Sequence, residues 1–249
     1  MGDSTWTIKA LDTGSSIVDG GILCYMRRGG ERIRIPRVMW VLEGPTTVVV
    51  DTSVAMVGAP HEFVGEAFER TEGQIPRNAL SAAGVDPSDV EIVILTHLHW
   101  DHAGNCDLFP RARIVVQEEE MRYAIAPGRF FRKAYLAPES GWPLPQYLVP
   151  NIVTVRGETT LAPGLRVVPA PGHTPGSQAV LVDTVRGTYC VAGDAMMVFE
   201  NLEEDSPPGF HVDVDKSLDS LDYLRQFSVK MLPSHDYSVF TETPVTQIV

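Results

Sequence analysis

The amino-acid sequence predicts an α/β protein of the αββα sandwich class, two mixed β-sheets packed face to face with helices on both outer surfaces. Three observations predict it. Short β-prone runs recur from end to end of the chain; helical stretches interrupt them instead of gathering in one block; and the order of strands followed by helix occurs in both halves.

In the first half, "WTIKAL" (6–11), "GILCYM" (21–26), "RVMWVL" (37–42) and "TTVVVDT" (46–52) read as strands separated by Gly, Pro or charged turns, as in an antiparallel meander. "HEFVGEAFERT" (61–71) and "IPRNALSAAGV" (75–85) read as helices, the second closed by Gly84 as a C-cap. "DVEIVILT" (89–96) is apolar along almost its whole length, which predicts a strand buried on both faces. "ARIVVQ" (112–117) is a strand and "EEEMRYAIA" (118–126) a helix. In the second half, "NIVTVRG", "LRVVPAP", "SQAVLVDT" and "TYCVAGD" read as strands, "DKSLDSLDYLRQF" (215–227) as an amphipathic helix, and "VKMLPSHD" (229–236) as a last strand and loop. Between the halves, residues 124–150 are interrupted by prolines and rich in aromatics, which predicts an inserted lid rather than a piece of core.

The chain is long enough at 249 residues to bury a substantial core, and it reads as a single domain over residues 1–249. Its 44% hydrophobic and 21% charged residues argue against disorder. A net charge of -12 supplies no basic patch for phosphates, so no nucleic-acid partner is expected. No apolar run is long enough to span a bilayer. The start "MGDSTWTIKAL" lacks the features of a signal peptide, and Trp6 stands where a myristoylation signal has Ser or Thr. Cys24, Cys106 and Cys190 are odd in number and widely spaced, which does not suggest a disulfide scaffold. A cytoplasmic protein without membrane association is expected; a homodimer is compatible with these features.

"THLHWDHAGN" (96–105) places His97, His99, Asp101 and His102 within six positions, at the end of the buried strand. A polar solvated turn is the plain alternative, but three further loops repeat the placement. His173 in "APGHTPGS", Asp194 in "YCVAGDAM" and His235 in "LPSHD" each follow an apolar run. Neutral imidazoles and carboxylates are ligands of zinc and similar dications. Five histidines and two aspartates exceed the needs of one tetrahedral ion; they suit two ions sharing a bridging carboxylate and a bridging hydroxide. The expected cofactor is therefore a pair of divalent ions, zinc first, with iron, manganese or cobalt fitting the same donors. His61 and His211 read as surface residues or supports of the ligands, and Cys106 and Cys190 as packing.

The same stretches resemble the metallo-β-lactamase superfamily. "THLHWDHAGN" looks like its HxHxDH signature; "PGHTPGS", "AGD" and "PSHD" resemble its later metal motifs, and "VVVDTS" with Asp51 its early strand motif. The resemblance runs over roughly residues 5–240 and implies the αββα sandwich. It implies a first ion on His97, His99 and His173, a second on Asp101, His102 and His235, and Asp194 bridging the two. Ser53 stands where many relatives have glycine, with no expected effect on the metals.

Within the superfamily, a bridging Asp194 argues against true β-lactamases and His99 against the flavo-diiron oxygen reductases; the short acidic chain lacks the arms of the tRNA-processing nucleases. "HAGNCDLFPRARIVVQEEE", "ILCYM" with "PRVMWVLEG", and "SHDYSVF" most resemble the quorum-quenching N-acyl homoserine lactonases. That group implies hydrolytic opening of a lactone by the hydroxide between the metals. One metal polarises the carbonyl, the other stabilises the departing alkoxide, and Asp101 shuttles the proton beside Asp194. One position departs from the group. Its tyrosine three residues after the bridging aspartate is Met197 here, which opens the substrate class to other lactones, aromatic ones included. With Phe130, Phe131, Tyr135, Trp142 and Tyr147 of the lid, Met197 is expected to wall an apolar substrate pocket. Two other readings remain. A glyoxalase II-like thioester hydrolase uses the same ligands, although the tail "VFTETPVTQIV" offers no Lys or Arg for glutathione; a non-catalytic metal-binding module needs no substrate at all.

Overall fold

Twelve strands and six α-helices make up the computed structural model, which describes residues 5–55, 68–135, 151–241 and 245–249. The first sheet is assembled from β1 (Thr7–Asp19), β2 (Arg32–Glu43), β3 (Thr47–Val50), β4 (Ile92–Ile94), β5 (Arg113–Gln117) and β6 (Ile152–Val155). The second holds β7 (Thr159–Ala162), β8 (Leu165–Pro169), β9 (Gln178–Thr184), β10 (Gly187–Val191) and β11 (Lys230–Leu232), while β12 (Val245–Gln247) returns to the first. The helices are α1 (Gly20–Leu23), α2 (Pro76–Ala82), α3 (Glu118–Ile125), α4 (Arg132–Tyr135), α5 (Glu200–Glu203) and α6 (Val214–Arg225). Strand order is β12-β1-β2-β3-β4-β5-β6 in one sheet and β11-β10-β9-β8-β7 in the other.

The period of two along the strands sorts residues into layers. In β2, Val38, Trp40 and Leu42 point between the sheets, where they meet Val167, Val180 and Val191 of the second sheet. Met39 and Val41 point the opposite way, into a cluster with Leu80 of α2 and Ala124 of α3. On the far side of the second sheet, Leu181 and Cys190 pack on Leu221 and Leu224 of α6. Each large side chain buried this way contributes roughly 1.5–3 kcal/mol. The layers are helix, sheet, sheet, helix, as the sequence predicts. Local chemistry sets the helix ends. Pro76 opens α2, Gly84 follows it at φ +81°, and the Asp213 carboxylate caps α6 by accepting from Lys216 N at 3.1 Å.

Several expectations are corrected. "GILCYM" is not a strand: Asp19 accepts from Gly21 N and Gly30 N, both at 2.8 Å, and so caps the start of α1 and ties down the turn after it. Sheet membership crosses the two halves of the chain, since β6 pairs with β5 in parallel and β12 pairs with β1. Residues 61–67, with His61, lie outside the described residues; the end of that predicted helix is extended, Glu69 bridging to Ser15. Of the predicted lid, 124–125 complete α3 and 132–135 form α4, while 136–150, with Trp142 and Tyr147, lie outside the described residues. Among the described residues no helix is long and apolar enough to cross a membrane. All three cysteines are free and buried, and burial pushes the Cys24 thiol up to about 11 and that of Cys106 up to about 12.

Candidate metal centre

Strand direction gathers the ligand loops. β3 and β4 are parallel, as are β10 and β11, and β8 runs with β10 because both are antiparallel to β9. The residues after β4 (His97, His99, Asp101, His102), β8 (His173), β10 (Asp194) and β11 (His235) therefore leave the sandwich at strand C-termini. Glycine makes one approach possible. Gly193 lies at φ +55°, and a Cβ there would stand 2.7 Å from Thr96 Cβ, so Asp194 reaches the first ligand loop only behind a glycine.

The side chains meet in two groups. His97 Nε2, His99 Nδ1 and His173 Nε2 form a triangle with edges of 3.0, 3.0 and 3.2 Å. His102 Nε2 and His235 Nε2 lie 3.7 and 3.8 Å from Asp101 Oδ2. Asp194 stands between the groups: Oδ1 is 3.2 Å from both His102 Nε2 and His235 Nε2, and Oδ2 is 3.3 Å from His173 Nε2. These sets satisfy the distance requirement for metal ligation as His97–His99–His173, His97–His102–Asp194 and Asp101–His102–His235.

Acceptors behind the rings fix which nitrogen faces the centre. His102 Nδ1 donates to Asp51 Oδ2 at 2.7 Å, His173 Nδ1 to the Phe210 carbonyl at 2.6 Å, and His235 Nδ1 to the Pro36 carbonyl at 3.0 Å. His97 Nδ1 lies 3.1 Å from Thr96 Oγ1, whose proton goes to Asp51 Oδ2 at 2.9 Å. Each of these contacts turns Nε2 towards the centre, a support common behind metal-bound histidines. Asp51 holds its place at a cost, since φ is +60° in a non-glycine residue.

The donor set fits metal ions. Three lone pairs aimed at one point repel unless a cation sits among them, and nitrogens at about 2.0–2.1 Å from a tetrahedral ion would be spaced about 3.3 Å apart. Burial holds the His97, His99 and His173 imidazoles below their usual range, so they are neutral, as ligation requires. Around His102 the balance reverses. Burial opposes its charge, but the Asp194, Asp101 and Asp51 carboxylates outweigh burial and raise it, so this group calls for positive charge. His99 Nε2 and His102 Nε2 are buried without a hydrogen-bond partner.

Over the two groups lies a pocket open to solvent, walled by Val18, Ile22, Ile35, Ala134, Met197 and Phe210 and also lined by Arg37 and Trp100. Of the pocket residues expected from sequence that lie among the described residues, Met197 is the one that lines it directly. Phe130 is exposed and Phe131 half-buried; their rings pack on Phe210 at 6.1 and 5.1 Å and reach the cavity through it. Tyr135 is buried edge-on to His99 at 4.8 Å and donates to Glu120 Oε1 at 3.0 Å, bracing that imidazole. His211 donates to the Pro208 carbonyl at 2.6 Å and belongs to neither ligand group. Sequence reasoning missed Arg37, Phe210 and Glu120. A cation inside an apolar strand run, and a Glu four residues before Ala124 on one buried helix face, were the available signals for the first and last.

Comparison with known proteins agrees. A family model described as the Metallo-beta-lactamase superfamily matches residues 36–235. An N-acyl homoserine lactonase of Bacillus sp is 30% identical over 245 residues, 91% of this chain and 91% of that protein. The N-acyl homoserine lactonase AttM of Rhizobium radiobacter is 32% identical over 168 residues, 65% of this chain, and the match spans 61% of that relative's length. Among solved structures, a mutant of B. thuringiensis AiiA with N-decanoyl-L-homoserine bound at its active site matches with a TM-score of 0.79. It is 23% identical, and the match covers 97% of this chain and 98% of that one. With the model matching most of its length and the ligand groups assembled at its strand ends, this chain belongs to the metallo-β-lactamase superfamily, in the company of the N-acyl homoserine lactonases.

Proposed function

We propose that this protein is a dinuclear-metal hydrolase that opens lactone rings, on an N-acyl homoserine lactone or another, aromatic lactone. The observation that carries the reading is Asp194, whose two oxygens turn towards two different groups of ring nitrogens. His97, His99 and His173 would hold one ion; Asp101, His102 and His235 would hold the other, with Asp194 shared. Such a pair of ions supplies an attacking water ionised near neutral pH and draws charge from the carbonyl. The chain's own residues do the rest. The apolar walls hold the substituent of the lactone and exclude bulk water. Asp101, half-buried at the cavity floor, takes a proton on the oxygen that Arg37 leaves free and delivers it to the leaving alkoxide. The relatives named N-acyl homoserine lactonases, and the acyl homoserine in the AiiA variant, support this substrate class.

Two ions per chain are expected from elemental analysis of active protein. Chelation should abolish acid release from a panel of acyl-homoserine and aromatic lactones, and added zinc, manganese or cobalt should restore it. One ion or fewer in fully active protein refutes the dinuclear reading.

Met197 sets the second expectation. It is buried, packs near Val18, Leu23 and Ile35, and offers the cavity a thioether that donates no hydrogen bond. Met197→Tyr should shift relative kcat/KM towards acyl-homoserine lactones and away from aromatic ones by about 1–3 kcal/mol. An unchanged ratio with full metal content would show that the side chain does not meet substrate.

A further inference from the structure

Arg37 of β2 is a buried cation whose side chain is 4% exposed. Its Nη1 donates to Asp101 Oδ2 at 2.5 Å, its Nη2 donates to Ser16 Oγ at 3.2 Å, and its guanidinium lies 5.2 Å over the Trp100 ring. The same Nη1 is 3.4 Å from both ring nitrogens of His235. Two of the three side chains gathered for the second ion thus already touch one fixed positive charge. The oxygen matters as much as the residue. Asp101 Oδ2 is the atom that faces His102 Nε2 and His235 Nε2, and it is the atom that Arg37 holds. The polar contacts of His97, His99 and His173 are of another kind: with each other, with Thr96 Oγ1, with the Phe210 carbonyl and with Asp194.

We propose that Arg37 makes the two metal sites unequal. By holding Asp101 Oδ2 and keeping its charge beside His235, it weakens the second site and leaves the three-histidine site untouched. The proposal rests on the dinuclear reading above. A guanidinium suits this position, because its planar fork engages several partners at once. A dication entering the second site meets a like charge at close range in poorly screened surroundings, and competes with a charge-assisted hydrogen bond for the same oxygen. The sites therefore fill in order, the three-histidine site first. Arg37 acts here as a positioning residue for Asp101. The direction of the effect is diagnostic, since loss of a partner that merely supports a ligand usually weakens metal binding.

Titration of metal-free protein with zinc against chelators of graded strength reads the two affinities separately. The natural protein should take up zinc in two steps, the first tighter. Arg37→Met should tighten the second step by about 10–100-fold, the scale on which partners of metal ligands act. Its first step should not move, which also reports a correctly folded centre. Arg37→Lys keeps the charge and should stay near the natural protein. If Arg37→Met does not fold, Arg37→Gln, which keeps a donor and drops the charge, replaces it in the comparison with Arg37→Lys. A second step that is unchanged or weaker in the uncharged variant overturns the proposal while leaving two ions bound. Uptake of a single ion by the natural protein at saturating zinc instead defeats the dinuclear reading, and the proposal with it.

Discussion

Asp194→Ala is expected to lose metal from both sites and to slow lactone opening by about 10³-fold or more, a loss of roughly 4 kcal/mol in transition-state stabilisation. Among the described residues Asp194 is a side chain that reaches both groups: Oδ2 is 3.3 Å from His173 Nε2, and Oδ1 is 3.2 Å from His102 Nε2 and His235 Nε2. Burial alone would raise its carboxyl, but the imidazoles of His102, His235 and His173 outweigh burial and hold it well below the usual carboxylate range. Ser234 Oγ, which donates to Oδ1 at 2.6 Å, loses its partner in the variant, a penalty of about 1–3 kcal/mol that a domain of this size can absorb. Asp101→Asn is the contrasting case. Its amide cannot accept the proton, so turnover should collapse while the ion at the three-histidine site stays. Elemental analysis beside the turnover assay separates the two variants. If both lose metal equally, Asp101 is only a ligand and its role in moving the proton fails.

The clustering of the proposed ligands was legible because each stands just past an apolar strand run, where a chain leaves its sheet. That placement is local, and a sequence records it directly. The layers were legible for the same reason, as Val38, Trp40 and Leu42 alternate with Met39 and Val41. Pairing between distant segments was not. Nothing within "NIVTVRG" tells that it joins β5 rather than the strands following it, because a parallel partner is chosen by tertiary packing. The same limit hid Arg37. Its charge is visible in "PRVMW", but its partner Asp101 is 64 residues away and becomes its neighbour only once β2 and the loop after β4 share an edge. "GILCYM" failed differently: its composition is β-prone, and one aspartate before it, with two glycine amides to bind, decided the turn.

Glu120 is the position where substitution is expected to cost most stability. It lies in "EEE", beside the exposed Glu119, yet the turn of α3 carries it into the interior with Ala124, where it is fully buried. Four donors converge on its carboxylate. Leu98 N and the Tyr135 hydroxyl donate to Oε1, both at 3.0 Å; Thr174 Oγ1 donates to Oε2 at 2.6 Å and Gly176 N at 3.2 Å. Leu98 stands between His97 and His99, and Thr174 follows His173, so one carboxylate ties together the two loops that form the three-histidine group. Glu120→Ala leaves these donors buried and unpaired, at a cost of roughly 3–5 kcal/mol after local relaxation. Glu120→Gln is the finer probe. The hydroxyls of Tyr135 and Thr174 can rotate, but the amides of Leu98 and Gly176 sit on opposite oxygens, so the new NH₂ must face one of them. It should fold with a lowered melting temperature and bind the first zinc about 10–100-fold more weakly, while the second step moves less. Stability lost with the first zinc affinity unchanged would show that Glu120 braces the fold without setting the geometry of the metal centre.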